Sequence, residues 1–291
     1  MRPFFMIIFI TTAIILESIL NKPHLAFGKE DKYIPVLMYH TFDNTPSFPY
    51  INTSPAHFEE QMTTLKQAGY STITIGDLLD YLQGEDHLPT KPILITIDDG
   101  YRSIYTNAYP IIKKYKLFVC LFISTSYVQK GQRLGRPFLN WTQIRKMYHS
   151  GLVEVQNHTH DLHWRYNNKA GKEALITPTS KDGEHLTHKK HHRIVKRDIN
   201  KAKQMIEKNV GNSVFAFAYP YGAYNKDIEN IVSQQHQLIF TTTTGINTFG
   251  TNRLEIKRIN INDSLKGKQI IKEIKALENY SDVLFFGTNG F

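Results

Sequence analysis

The stretch ILITIDDG, residues 93–100, is an apolar run that ends in two carboxylates and a glycine. A short apolar run before a turn signal is typical of a strand that is buried on both faces. Core packing does not explain Asp98 and Asp99, because burying unpaired carboxylates is costly. An Asx turn or a helix cap is the alternative, and Asp-Asp-Gly alone would favour it. Successive strand residues point in opposite directions, so we interpret the two carboxylates as having separate roles, one for a metal and one for a proton.

Similar apolar runs alternate with helix-like stretches on both sides of this strand. The alternation favours a parallel sheet covered by helices, in one α/β domain closed into a barrel. In such barrels, catalytic groups lie at the carboxyl ends of the strands. The predicted strands are 34–39, 71–75, 93–97, 118–123, 152–155, 214–219, 238–242 and 283–286, and the predicted helices are 55–68, 104–115, 142–150, 194–208, 226–234 and 266–278.

A second predicted strand end carries three histidines. The sequence NHTHDLH, residues 157–163, directly follows the strand at 152–155. A lone histidine is more often structural, but three together with carboxylates at a neighbouring strand end favour a metal site. Imidazole and carboxylate donors suit zinc. His160 remains an alternative ligand to His158 or His163.

Two more strand ends are candidates. Pro220-Tyr221-Gly222 follows the strand at 214–219 as a rigid turn that can expose backbone N–H groups, although an ordinary turn is the simpler interpretation. His40 ends the strand at 34–39, where an imidazole can transfer a proton if it faces the same opening.

The composition excludes several classes of protein. With 41% hydrophobic and 21% charged residues in 291, the chain is neither disordered nor collagen-like. Its single cysteine, Cys120, cannot form an internal disulfide and is too little for a thiolate zinc or iron–sulfur site, so we expect a small buried residue. The net charge, 35 minus 26 or +9, permits either a nucleic acid or an anionic surface as partner.

The first 28 residues have the organisation of a secretory signal peptide. Arg2 precedes the apolar run 4–16, and Ala26-Phe27-Gly28 offers a cleavage site. An uncleaved membrane anchor is the alternative, but thirteen helical residues rise only about 20 Å, whereas a bilayer core is about 30 Å thick. Cleavage leaves a charge of +8. We therefore expect a secreted monomer, without a nucleic-acid partner, that anionic cell-surface or wall polymers retain.

Three motifs, in this order, resemble those of the polysaccharide deacetylases, the NodB-homology or carbohydrate esterase family 4 enzymes. Residues 97–100 resemble the Thr-Phe-Asp-Asp-Gly motif, 158–163 resemble His-Ser/Thr-x-x-His, and 219–222 resemble Arg-x-Pro-Tyr-Gly. The resemblance spans about residues 34–288 and implies one deacetylase domain over 29–291, with core motifs from about 93 onward. It implies a single-domain distorted (β/α) barrel.

The resemblance also implies roles for residues. A divalent metal would be held by Asp99, His158 and His163, with zinc expected first and nickel, cobalt or iron as alternatives. Asp98 would be the catalytic base. The backbone N–H of Tyr221 would stabilise the oxyanion.

Three departures from the family pattern matter. The histidine pair is separated by four residues instead of three, which places Leu162 at the usual position. Ala218 or Tyr219 stands where the third motif has arginine. The late Leu-x-x-His motif is missing, and Leu37-Met38-Tyr39-His40 can replace it. This resembles the circularly permuted motif order of the exopolysaccharide branch and makes His40 the expected general acid.

That branch implies hydrolysis of N-acetyl groups from poly-β-1,6-N-acetyl-D-glucosamine in biofilm formation, which leaves the polymer cationic. A β-1,4 deacetylase of peptidoglycan or chitin is the alternative enzyme, and a carbohydrate-binding adhesin is the non-enzymatic one. A glycoside hydrolase fits poorly, because its two carboxylates stand about 5–9.5 Å apart across the bond.

Two further features have simple interpretations. Residues 181–193 contain four histidines among basic residues, and we expect a mobile surface loop there, with metal binding as the alternative. Trp141 is a candidate for stacking on sugar or for core packing.

Overall fold

The computed structural model describes residues 32–46 and 48–287, with side chains up to Ser281. The expected signal peptide at 1–28 lies outside the described residues. Those that are described belong to one compact unit. Within them, no helix combines the length and the apolar character that crossing a membrane requires.

Eight parallel strands form the main sheet. Their order is β10-β1-β3-β4-β7-β8-β9, with β2 paired to the beginning of β3, and β5 and β6 form a separate antiparallel hairpin. The strands are β1 Val36–Tyr39, β2 Ser71–Thr72, β3 Pro92–Asp99, β4 Val119–Ile123, β5 Gln132–Arg133, β6 Arg136–Pro137, β7 Val153–Asn157, β8 Ala216–Ala218, β9 Leu238–Phe240 and β10 Ile259–Asn260.

One segment, residues 253–261, connects the two edges of this sheet. Ile256 exchanges backbone hydrogen bonds with Ile239 and Thr241 beside β9, at 2.8 and 2.9 Å. Farther along, the Ile261 N–H donates to the Met38 carbonyl on β1 at 3.0 Å. The sheet is therefore curled into a distorted barrel, as the alternation of strands and helices predicts.

Helices pack against the sheet. Capping explains several of their starts: Thr74 and Asp77 form a capping box, as do Asn140 and Gln143. The helices are α1 Pro55–Gln67, α2 Ile75–Leu82, α3 Tyr109–Tyr115 after a π segment at Ile104–Ala108, α4 Thr125–Lys130, α5 Trp141–Tyr148, α6 His188–Val210, α7 Lys226–Val232 and α8 Gly267–Gly287.

The two faces of β3 enter different apolar clusters. Ile93, Ile95 and Ile97 pack toward the helices, with Phe58 of α1 in the same cluster. Leu94 faces the barrel interior among residues of β4, β8, β9 and α2. Asp98 lies on the same face of β3 as Leu94, so its carboxylate also points into the barrel interior, at the carboxyl end of the strand.

The predicted strand at 283–286 is wrong, because α8 continues through it to Gly287. Apolar residues at 270, 274, 277 and 284 follow helical spacing, and a short apolar run alone does not separate strand from helix. The prediction at 71–75 is wrong at its end for a related reason. The capping box starts α2 at Ile75, and the sequence interpretation missed this helix and α4.

The mobile loop expected at 181–193 is also wrong in its second half. Thr187 caps α6, which begins at His188. His191 is buried, with Nε2 3.0 Å from the Ala174 carbonyl. The prediction for Cys120 is confirmed, since this residue is buried.

Candidate active site

The carboxyl ends of β1, β3, β7 and β8 meet at one edge of the barrel, where a cavity of about 580 Å³ opens. Parallel strands bring their last residues to the same edge, which is why motifs far apart in the chain converge here. The lining includes His40, Asp98, Asp99, His163 and Tyr221.

Asp99, His158 and His163 form a compact set of metal-ligand side chains. Asp99 Oδ1 lies 3.4 Å from His158 Nε2 and 3.0 Å from His163 Nε2. One donor atom of each residue lies within 4.8 Å of the others, and all three residues are buried. His158 Nδ1 lies 2.7 Å from the Ala218 carbonyl, a contact that turns Nε2 toward the set. Two imidazoles and a carboxylate fit a divalent ion such as zinc and leave coordination positions open.

Each of the three motifs contains one non-glycine residue with a left-handed backbone. The φ angles are 74° at Asp99, 75° at Thr159 and 59° at Tyr221. Such residues cost about 1–3 kcal/mol each and are concentrated at functional sites. At Asp99 the unusual φ has a direct consequence: this side chain, which strand alternation would direct toward the helices, reaches the same cavity as Asp98.

The glycine after Tyr221 is required by close contact. A Cβ atom built on Gly222 would lie 1.9 Å from Thr242 Oγ1, and its φ is 67°. The turn therefore accepts no side chain at this position, which keeps Tyr221 at the opening.

The extra residue in the histidine motif is accommodated by α6. The backbone N–H groups of His160 and Asp161 donate to the two oxygens of Asp198, both at 2.7 Å. Leu162 is buried in an apolar cluster with residues of α6. Burial raises the pKa of Asp198 to about 6, although the two N–H donors oppose this shift. The sequence interpretation missed Asp198, because a single acid within a basic helix carries no local signal.

His160 lies outside the metal-ligand set. Its Nδ1 is 2.8 Å from Thr125 Oγ1 at the start of α4. Of the histidine pairs that the sequence left open, the structure thus brings His158 and His163, not His160, to Asp99.

Asp98 forms a buried ion pair that the sequence interpretation did not find. Arg258 Nη1 and Nη2 donate to Asp98 Oδ1 and Oδ2, each at 2.8 Å, and Arg258 is 0% exposed. Burial raises the pKa of Asp98, but the charge of Arg258 outweighs it, so the net pKa lies below the usual value. Arg258 lies in the closing segment 253–261, far from the third motif. It supplies the cation that Ala218 and Tyr219 do not.

His40 lines the same cavity from the end of β1. Among the described residues, no hydrogen-bond partner is present for its buried Nδ1 atom. Burial lowers the pKa of His40, and the nearby carboxylates of Asp99 and Asp98 oppose that shift. An imidazole whose Nδ1 atom has no hydrogen-bond partner among the described residues is thus available at the opening.

Aromatic and basic side chains form the rim of the cavity. The Tyr221 ring lies 4.6 Å from the His163 ring, and the Arg165 guanidinium lies 4.0 Å from the Tyr221 ring centre. Phe48 and Tyr50, on the loop after β1, are exposed by 37% and 64%. Trp141 packs on the core and does not line the cavity. Phe48 and Tyr50 do line it, so they are better placed than Trp141 to stack on a sugar.

Comparisons with known proteins support the family that the three motifs resemble. The family model described as polysaccharide deacetylase matches residues 85–238. A poly-beta-1,6-N-acetyl-D-glucosamine N-deacetylase of Staphylococcus aureus strain MSSA476 is 30% identical over 186 residues, which cover 64% of this chain and 59% of that protein. A protein of the same name from Staphylococcus epidermidis is 28% identical over 170 residues, 58% of this chain and 54% of its own length. The chain thus spans less than two thirds of the length of these relatives.

Solved structures share the fold. IcaB from Ammonifex degensii matches with a TM-score of 0.72 and 27% identity, over 84% of this chain and 97% of the other. A de-N-acetylase from Aggregatibacter actinomycetemcomitans matches with a TM-score of 0.74 and 23% identity, over 83% and 100% of the two chains, and supports the fold alone. The predicted fold, a single-domain distorted α/β barrel, is confirmed.

Proposed function

Because this chain belongs to the polysaccharide deacetylase family, we propose that it hydrolyses N-acetyl groups of extracellular poly-β-1,6-N-acetyl-D-glucosamine. The observation that carries the proposal is the buried set Asp99, His158 and His163 beside the paired carboxylate Asp98, with Asp98, Asp99 and His163 lining one cavity. The name of the two Staphylococcus relatives supports the polymer. The products are acetate and glucosamine units that carry a positive charge near neutral pH.

The metal-ligand set suits zinc best, with nickel, cobalt or iron as alternatives. A divalent ion held there supplies a water of lowered pKa and polarises the acetamide carbonyl. The protein contributes the orientation: the Ala218 carbonyl fixes the His158 ring, and Asp198 holds the loop before His163.

Asp98 is the proposed general base. Its net pKa lies below the usual value, so it is ionised at neutral pH and able to accept a proton from the attacking water. The Arg258 pair holds both carboxylate oxygens in place. As negative charge develops on the carbonyl oxygen, the backbone N–H of Tyr221 is the proposed donor to it.

His40 is the proposed general acid. When the carbon–nitrogen bond breaks, the leaving amine needs a proton, and the imidazole of His40 stands at the same opening. Its protonated form delivers that proton, and the carboxylates of Asp99 and Asp98 favour this form against the effect of burial, which lowers the pKa of His40. The exposed rings of Phe48 and Tyr50 offer stacking faces for neighbouring sugars.

Acetate release tests this function. Purified protein is incubated with β-1,6-linked and β-1,4-linked N-acetylglucosamine oligomers of equal length, with and without a chelator. We expect release from the β-1,6 oligomers that the chelator abolishes and zinc restores. Preference for the β-1,4 series favours a peptidoglycan or chitin deacetylase. Binding without release from either series favours an adhesin and contradicts the proposal.

We further propose that the protein is secreted and held at an anionic cell surface or wall. Of the ten exposed residues of α6, seven are cationic and none is acidic, and a linear polyanion can lie along such a face. These residues are Lys189, Lys190, Arg193, Lys196, Arg197, Lys201 and Lys208.

Sedimentation with purified cell walls tests the retention. Glutamine at Lys190, Arg193, Arg197 and Lys201 is expected to release the protein at moderate salt. The matched control places glutamine at four exposed lysines elsewhere, Lys66, Lys113, Lys272 and Lys275, and removes the same charge. Equal release of both variants would contradict a role for the α6 face and would mean that net charge alone explains the retention.

A further inference from the structure

A second group of metal-binding side chains lies on the outer surface, where α6 packs against α7. His188 and His192 are four residues apart on α6, so they project from the same side of the helix. Their ring centres are 6.2 Å apart. Asp227, in the first turn of α7, places Oδ2 3.8 Å from His192 Nε2.

One of these separations already suits a shared ion. Zinc binds imidazole nitrogen and carboxylate oxygen at about 2.0–2.2 Å, so two donors in a tetrahedral site stand about 3.4 Å apart. His192 and Asp227 nearly satisfy this distance already. His188 is exposed and can rotate to complete the set, since only its side chain has to move. Two histidines at this helical spacing also bind zinc in metalloprotease helices.

The backbone that carries the three side chains is held in place. Thr187 Oγ1 accepts the Lys190 N–H at 3.3 Å and starts α6. His191 is buried against the Ala174 carbonyl, which fixes the rotation of the helix and leaves His188 and His192 outside. Asn225 caps α7 through the Ile228 N–H at 3.0 Å. Sites on rigid helices keep their geometry better than sites on loops.

The surrounding charge limits which ions can bind. Lys189, Lys190 and Arg193 are exposed on the same helix and repel cations. Neutral imidazoles nevertheless bind zinc, nickel and copper strongly, whereas magnesium and calcium prefer sets of oxygen ligands. The ligand class is therefore a divalent transition metal, bound more weakly than at the buried set.

We propose that His188, His192 and Asp227 form a second, surface site for a divalent transition metal that joins α6 to α7. A metal bound at this site would act on the cavity through both helices. Asp198 on α6 holds the loop before His163, and α7 follows directly after the turn that contains Tyr221. A metal bridge between these helices stabilises the two elements that position the opening. This inference does not depend on the identity of the polymer.

Zinc titration of tag-free, metal-stripped protein by calorimetry tests the site. The intact protein is expected to bind two ions per chain. His163→Ala leaves only the weaker site, and the double variant His188→Ala, His192→Ala leaves only the tighter one. The matched control His87→Ala, His149→Ala also removes two exposed imidazoles and retains both sites. Magnesium at the same concentration produces no binding heat at the surface site.

A thermal measurement tests the bridge between the helices. In the His163→Ala protein, zinc is expected to raise Tm, because an ion that binds only the folded chain stabilises it. The rise disappears when His188 and His192 are also replaced. Asp99→Asn serves as the second background if His163→Ala does not fold. One ion per chain in the intact protein, or an unchanged count in the His188→Ala, His192→Ala variant, would overturn the site. Binding without a rise in Tm would overturn the bridge.

Discussion

Asp98 and Glu154 are two carboxylates inside the same barrel that differ in their partners. In strand register, Asp98 lies level with Phe122 and Gln156, and Glu154 lies level with Cys120 and Thr96, one interior layer lower. Asp98 is paired with Arg258, and its pKa is lowered in spite of burial.

Within the part of the chain that the structure describes, Glu154 accepts one hydrogen bond, from the Ile75 N–H at the start of α2, at 2.7 Å, and Asp77 is close by. Burial raises the pKa of Glu154 to about 7. Burial alone therefore does not decide the charge of an interior carboxylate. The Arg258 cation keeps Asp98 ionised, as the proposed general base requires, whereas Glu154 accepts an N–H at the start of α2 and has no such cation beside it among the described residues.

The largest expected effect follows from removing the charge of the upper carboxylate. Asp98→Asn keeps the shape of the side chain but cannot accept a proton, so acetate release should fall about 10²- to 10⁴-fold, the usual contribution of a general base. Bound metal should stay, because Asp98 is not in the ligand set. Acetate release and metal content are measured on the same sample. Full activity in this variant would refute the proposed base and with it the contrast with Glu154.

Replacing Arg258 instead should turn the Asp98 carboxylate into a destabilising group. Arg258→Met leaves Asp98 buried without a partner, and breaking a buried pair in this way costs about 3–5 kcal/mol of folding free energy. Urea unfolding at neutral pH measures the loss. The double variant Arg258→Met, Asp98→Asn has no unpaired charge and should recover most of it. No recovery in the double variant would mean that Arg258 acts through packing alone.

The third prediction separates neighbouring histidines of one motif. His163→Ala removes a ligand of the buried set and should weaken metal binding by more than the 10- to 100-fold typical of losing an outer partner. His160→Ala should leave affinity within a few-fold, because its ring contacts Thr125. Zinc binding is measured in the His188→Ala, His192→Ala background, which isolates the cavity. Equal losses in both variants would contradict the ligand assignment.

The smallest expected effect concerns Glu154 and appears only when folding stability is measured at different pH values. The pKa of Glu154 is about 7 in the folded state and near 4.5 when unfolded, so the folded chain binds this proton more tightly. This stabilisation is complete below about pH 4.5 and is lost as pH rises through about 7. Glu154→Gln keeps an acceptor for the Ile75 N–H and cannot ionise.

Relative to the native chain, the glutamine variant should therefore gain about 1–3 kcal/mol between about pH 5 and pH 8.5. Urea unfolding at both pH values measures the difference, and acetate release at pH 8.5 should be unchanged within about twofold. A difference that does not vary with pH would show that Glu154 has a cation partner after all.

Much of the fold could be predicted from the chain alone, and the errors have physical causes. The strands that lead to Asp98, His158 and His40 are predicted correctly because their apolar runs are short and end in polar groups. The prediction at 283–286 is wrong because a short apolar run has the same composition in a helix as in a strand. The helical start at His188 was missed because a cluster of basic residues and histidines hides the cap at Thr187.

Local sequence patterns are sufficient to identify the motifs: a double aspartate, a histidine cluster and a Pro-Tyr-Gly turn, each at the end of a strand. They are sufficient because strand ends in a parallel sheet share one edge, so local patterns predict a common site. Three contacts become visible only in the folded chain: Arg258 pairs with Asp98, Asp198 holds the lengthened histidine loop, and Asp227 lies beside His192, one turn of helix from His188. These contacts join residues that are far apart in the chain, and their energies depend on burial and distance, which no local pattern records.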